Sequence, residues 1–241
     1  MGYPYRPMNR TMAALALVLG LAPAALPQSS IVSQIAGEKV ATEKLYFSLK
    51  LGLNVSHLTG TVGTGRTGGF NAGLTATIRL TERWSLVPEI TPFSHKGVSN
   101  IPLGTTGDPD LDPFFADLQG SDLALSYLDV PILATYRLGR LHLGAGPFVS
   151  VLSSAKERFR AELETGEELS FSRGVKDRYK SVDYGLAFEA SWTITKPRRG
   201  VGLVFHVRYQ AGLTDVLRTP APSGRARNSV IQAYLSFPFV R

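Results

Sequence analysis

Eight charged residues recur at one phase of stretches whose other residues alternate between apolar and small polar: Lys50, Arg79, Glu89, Asp129, Arg137, Asp183, Glu189 and Arg208. Four are basic and four acidic, so a space they enclosed could be neutral without counter-ions. Buried ions need partners, because desolvation costs several kcal/mol per ion and only close pairing offsets it. The chemistry these residues offer is therefore pairing: a salt-bridge and hydrogen-bond network that fills a confined polar interior. Glu89 is expected to hold Arg79, across one turn, or Arg137, on a neighbouring strand. A narrow polar conduit for small solutes is the alternative use of the same set.

Other reactive combinations fail on spacing or context. Glu89, His206 and Ser191 are the right types for a hydrolytic triad, but no spacing links them and no nucleophile elbow surrounds the serine. His57, His95, His142 and His206 are scattered, without the spacing of metal ligands. Gly107 to Asp112 (G-D-P-D-L-D) places carboxylates at alternate positions and opens like a calcium loop. Counted from Asp108, the sixth residue is Pro113 and the twelfth is Gln119, so the turn glycine and the bidentate glutamate are missing. A solvated acidic loop is expected, with the neighbouring Pro113-Phe114-Phe115 either a sticky tip or a flap over the mouth. The chain has no cysteine, which excludes a disulfide framework, thiol catalysis and a lipidated-cysteine anchor. The formal net charge of +7 is dispersed, with no basic run interleaved with aromatics, so nucleic acid is not an expected partner. Neither a cofactor nor a catalytic residue is expected.

The elements that must position these charges are strands. From Ser126 to Leu152, one face reads Leu128, Val130, Ile132, Ala134, Tyr136, Leu138 and resumes after Gly139-Arg140 as Leu141, Leu143, Ala145, Pro147, Val149, Val151. Strict alternation on both sides of a two-residue glycine-containing link signals a β-hairpin. The same period marks strands over Leu45–Val55, Phe70–Leu80, Trp84–Phe93, Val182–Trp192, Val201–Leu213 and Ser229–Phe239. Together with the hairpin these make eight strands, each about the 9–11 residues a tilted strand needs to cross a bilayer. The expected fold is all-β: an eight-stranded antiparallel up-and-down transmembrane β-barrel, covering residues 45–241.

Loop lengths and face chemistry fix the setting. Loops after the first, third, fifth and seventh strands are long, and the other connections are short. That segregation belongs to outer-membrane barrels, with short turns and both termini periplasmic and long loops outside. The set read as outward holds no Lys, Arg, Asp or Glu, and the charges share the inward set with Gly, Ser, Thr and Asn. A soluble ligand-binding barrel has the opposite pattern. Aromatics at outward strand ends, Trp84, Tyr136, Trp192, Phe237 and Phe239, suit a girdle at the membrane boundary. Pro88, Pro131 and Pro147 fall inside strands, where bulges or missing ladder bonds are expected. Residues 1–25 read as a signal peptide, with Arg6 and Arg10 before the apolar run Met12–Leu21 and a small-residue site at Ala22-Pro23-Ala24. Residues 26–44 then form a periplasmic leader.

L-K-L-G-L-N-V-S-H-L-T-G (Leu49–Gly60), W-S-L-V-P-E-I (Trp84–Ile90), S-Y-L-D-V-P-I-L-A-T-Y-R (Ser126–Arg137), L-G-A-G-P-F-V-S (Leu143–Ser150) and V-R-Y-Q-A-G-L-T-D-V (Val207–Val216) carry a family likeness. The chain resembles the small outer-membrane β-barrels of Bacteroidetes-type bacteria, called porin-family or PorT-like proteins. The resemblance implies a barrel of structural or interaction role, a narrow passive pore, or an accessory part in protein secretion. Its partners would be outer-membrane lipid, lipopolysaccharide and other envelope proteins. Barrels of this kind usually end on an aromatic residue, whereas Phe239 here is followed by Val240-Arg241.

Overall fold

The computed structural model describes residues 44–60, 65–101, 112, 121–162, 168–196, 200–219 and 224–240. The signal-peptide and leader readings, the Asp108–Asp110 carboxylates and the Pro-Phe-Phe tip lie outside the described residues, apart from Lys44 at the leader's end.

The strands are β1 (Leu45–Thr59), β2 (Thr67–Arg79), β3 (Trp84–Ile101), β4 (Ser121–Leu138), β5 (Leu141–Glu162), β6 (Glu168–Gly174), β7 (Val182–Thr195), β8 (Gly200–Val201), β9 (Leu203–Gly212) and β10 (Arg227–Val240). Neighbours pair antiparallel in chain order, and β1 closes onto β10 from Phe47↔Phe239 to Thr59↔Arg227. The short β8 continues β9 along β10, and β6 pairs only with the far half of β5. The wall is thus a closed eight-stranded antiparallel barrel, as the alternation predicts, with the β5–β6 hairpin projecting from its long-loop end.

Closure removes every edge in the wall, so the ladder satisfies the backbone within lipid. The outer face is apolar: Leu49, Leu51, Leu53 and Val55 on β1, Tyr184, Leu186 and Phe188 on β7, and Phe205, Val207 and Tyr209 on β9 are all exposed. Trp84 packs on Tyr136 with ring centroids 5.0 Å apart, and Arg83 donates to the Tyr136 hydroxyl at 3.0 Å, at the short-turn end. Gly139 makes the β4–β5 turn possible through its φ of +68°, a conformation costly for other residues.

The strands run well past the sequence boundaries, because two of them change phase. In β3, Thr91 and Ser94 are both buried, and Pro92-Phe93 between them forms a bulge. In β5, Leu152 and Ala155 are both buried, with the irregularity at Ser153 opposite Ser126–Tyr127. Alternation read from one end breaks at each bulge, so the continuations look like loop. The prolines sit beside gaps in the ladder: Glu89-Ile90 and Val130-Pro131 drop out of the β3–β4 register, as do Ile132-Leu133 and Gly146-Pro147 between β4 and β5.

Candidate functional site

The bore is filled in layers, and Arg208 of β9 is the hub of the central one. It is fully buried and grips Glu89 with both ends of its fork, Nη1 to Oε2 at 2.8 Å and Nη2 to Oε1 at 2.5 Å. Its Nε donates to Glu189 Oε2 at 2.8 Å, and Nη2 donates to the Tyr234 hydroxyl at 2.6 Å. That hydroxyl in turn donates to Glu189. Lys50 donates to Glu89 at 3.2 Å and lies 4.1 Å above the Tyr234 ring. Gly52, opposite Tyr234 on β1, is required here, because a Cβ would overlap Tyr234 itself. Two carboxylates thus meet two cations, and every charge is held by geometry that returns part of its desolvation cost.

Nearer the long-loop end, Lys96 donates to Asp129 at 3.0 Å and to Ser150 at 3.1 Å, and Ser94 also donates to Asp129 at 2.8 Å. Asp183 accepts from Asn228 at 2.8 Å, with no basic group within 4 Å among the described residues. Beyond this lies an apolar layer: Val98, Leu123, Leu125, Tyr127, Leu152, Val175 and Val216 are all buried together. Glu157, joined to Arg173 at 2.7 Å and to Ser121 at 2.7 Å, sits in the same end. The ring of Tyr179 packs into this layer, and burial, with the Glu157 charge second, pushes its phenol up to about 12.

Six of the eight charges singled out in the sequence therefore lie buried in the bore, with different partners from those expected. Arg79 and Arg137 are the exceptions. They stay exposed at the short-turn mouth, and Glu89 is held by Lys50 and Arg208 instead. The reason is distance along the bore, since a carboxylate at mid-height is out of reach from the rim. Lys96, Glu157 and Tyr234 were missed. The first two follow bulges that reverse the phase, and Tyr234 is an aromatic at an inward position, which alternation alone would have revealed.

At the short-turn end lies a cavity of about 310 Å³, lined by Ser48, Thr75, Ser85, Thr135, His142, Ser191, His206 and Ser236, with Arg79, Glu82, Arg137 and Lys196 at its rim. His206 contacts Ser236 Oγ through Nε2 at 2.8 Å and Glu189 Oε1 through Nδ1 at 3.0 Å. Ser191 pairs beside His206 in the ladder but makes no bond to it, and Glu89 faces Arg208. The serine–histidine–carboxylate order exists, but on Ser236 and Glu189. Ser236 is laddered to Lys50 on one side and Val204 on the other, which commits the backbone donors beside it to the wall. Among the described residues no group of His, Asp and Glu is placed to hold a metal ion.

Several solved outer-membrane proteins are similar to this chain at low identity. Neisserial surface protein A is 13% identical with a TM-score of 0.41, covering 80% of this chain and 96% of its own. OprG from Pseudomonas aeruginosa is 13% identical with a TM-score of 0.41, covering 83% and 98%. The attachment invasion locus protein Ail of Yersinia pestis is 14% identical with a TM-score of 0.38, covering 80% and 98%. No curated protein matches the sequence. A family model described as outer membrane protein beta-barrel domain matches residues 32–218, most of the chain. With its closed wall, apolar outer belt and charged bore, the chain belongs to that outer-membrane β-barrel family.

Proposed function

We propose that this outer-membrane barrel is a closed wall, not a channel, and that it acts as a structural or interaction protein through its long-loop end. The observation that carries this is the apolar layer of Val98, Leu123, Leu125, Tyr127 and Leu152, stacked on two tiers of ion pairs. An eight-stranded interior is just wide enough to be filled by side chains, and here the filling is apolar at one end, where it repels water and ions. The short turns and both termini would face the periplasm, following the usual loop asymmetry of such barrels.

The lipid partner is lipopolysaccharide. Past the bulge at Ser153, β5 turns Lys156, Arg158 and Arg160 outward, above the apolar belt that ends at Val151, and none has a carboxylate within 4 Å among the described residues. A ridge at that height suits lipid phosphates, at about 1 kcal/mol per basic residue near an anionic surface. The PorT-like motif Ser126–Arg137 lies in β4, where Asp129 holds Lys96 and Leu133 packs on Phe148. That resemblance extends the reading to an accessory place in secretion at the same end. The test is the amount of lipopolysaccharide retained on purified, folded protein. Lys156→Gln/Arg158→Gln/Arg160→Gln should lose most of it while keeping the fold; unchanged retention refutes the ridge as the contact.

A further inference from the structure

The cavity at the short-turn end has a composition that closing the bore does not require. Its rim carries Arg79 from β2, Arg137 from β4 and Lys196 beyond β7, and none of the three has a carboxylate within 4 Å among the described residues. This contrasts with the interior above it, where Lys50, Lys96 and Arg208 are each matched to an acid. Among the described residues Glu82 is the one acid at the rim, and Glu89 and Glu189 on the floor are already held by Arg208. The open part of the cavity is therefore cationic. His142 on the wall lies within electrostatic reach of Arg137, His206, Glu189 and Arg79, so both rim arginines border the same space.

Much of the remaining lining is hydroxyl, set beside Tyr46, Val87, Val204 and Pro238. Thr75, Ser85, Thr135, Ser191 and Ser236 come from different strands yet face the same volume. Hydroxyls both donate and accept, which matches a body that carries hydroxyls of its own. Planar guanidinium forks match the oxygens of a phosphate or carboxylate. Beyond the floor the described residues pack as an apolar cluster, so among them the cavity opens towards the short turns.

We infer that this pocket binds a small hydroxylated organic anion, a sugar phosphate or sugar acid, with its oxyanion between Arg79 and Arg137 and its hydroxyls on the serine and threonine wall. The inference goes beyond the closed-wall reading and holds whichever way the barrel sits in the membrane. Binding in such a pocket is recognition, not passage.

The experiment is calorimetric titration of the full-length folded barrel in detergent at low salt. The probes are glucose 6-phosphate, glucuronate, glucose and inorganic phosphate. Saturable binding of glucose 6-phosphate or glucuronate is expected, and which of the two binds tells phosphate from carboxylate. Glucose and inorganic phosphate should each bind more weakly, since each lacks half of the match. Arg79→Gln/Arg137→Gln should weaken binding by about tenfold or more, as two charge-assisted contacts are lost. Both residues are exposed, so the folded yield should hold. Glu82→Gln, which removes the only rim acid among the described residues, should tighten binding. No saturable binding of either sugar anion, equal binding of glucose, equal binding of inorganic phosphate, or an unchanged affinity in the double arginine variant would each overturn the inference. Ion conductance measured on the same preparation keeps this outcome separate from that of the closed wall.

Discussion

At the scale of single residues, the bore depends on Arg208, which joins Glu89 and Glu189 across strands far apart in sequence. Arg208→Ala should leave Glu189 without its guanidinium and Glu89 with Lys50 alone. Breaking a buried pair in this way costs about 3–5 kcal/mol, and urea unfolding of the lipid-reconstituted barrel would read it. A milder effect is expected at Tyr179. Burial raises its phenol from the ordinary 10.0 to about 12, so the folded chain keeps a proton that the unfolded chain gives up. The stabilisation is complete below pH 10 and disappears as pH rises towards 12, a loss on the order of 2 kcal/mol. Protease nicking of the long-loop end should increase over that window in the wild type, and Tyr179→Phe should remove the step. The positions of Lys50, Glu89 and Arg208 in the bore could be read from phase alone, but their pairing could not. Phase gives the face of a residue, whereas partners depend on height along the bore, which the tilt and stagger of the strands decide.

At the scale of elements, the two bulges explain most of what the sequence concealed. The hairpin around Gly139-Arg140 was legible because its alternation is unbroken on both arms. The far halves of β3 and β5 were not, because Pro92-Phe93 and Ser153 each reverse the phase. Lys96, read as a loop residue, is turned inward by the first bulge onto Asp129. This can be tested by deletion. Removing Phe93 abolishes the bulge but leaves Ser94 and Lys96 inward, so a folded, heat-modifiable barrel should still form. Removing His95 turns Lys96 outward and strands Asp129, which should cost about 3–5 kcal/mol and sharply reduce the folded band on a gel. Equal folding of the two deletions would contradict the assigned phase.

At the scale of the whole molecule, two surfaces define the protein: an apolar belt outside and a filled bore inside. Leu53 and Ile132 are exposed at 67% and 44%, and both belong to the belt. Leu53→Arg and Ile132→Arg should impair insertion, at about 2–4 kcal/mol near the midplane, whereas Thr77→Arg, which points into the short-turn cavity, should be tolerated. The belt was readable because lipid imposes one rule on every outward residue. The apolar layer at the long-loop end was not, because Val98 follows a phase change, and Leu123 and Leu125, which keep the phase of β4, precede the hairpin read from Ser126. That layer is the basis of the central claim, that the barrel is closed to ions. The most direct measurement is the current through wild-type protein in a planar bilayer, with insertion verified by heat-modifiable migration. A closed wall predicts no steady conductance above the bare membrane; a stable, ohmic conductance from the folded wild type would contradict it.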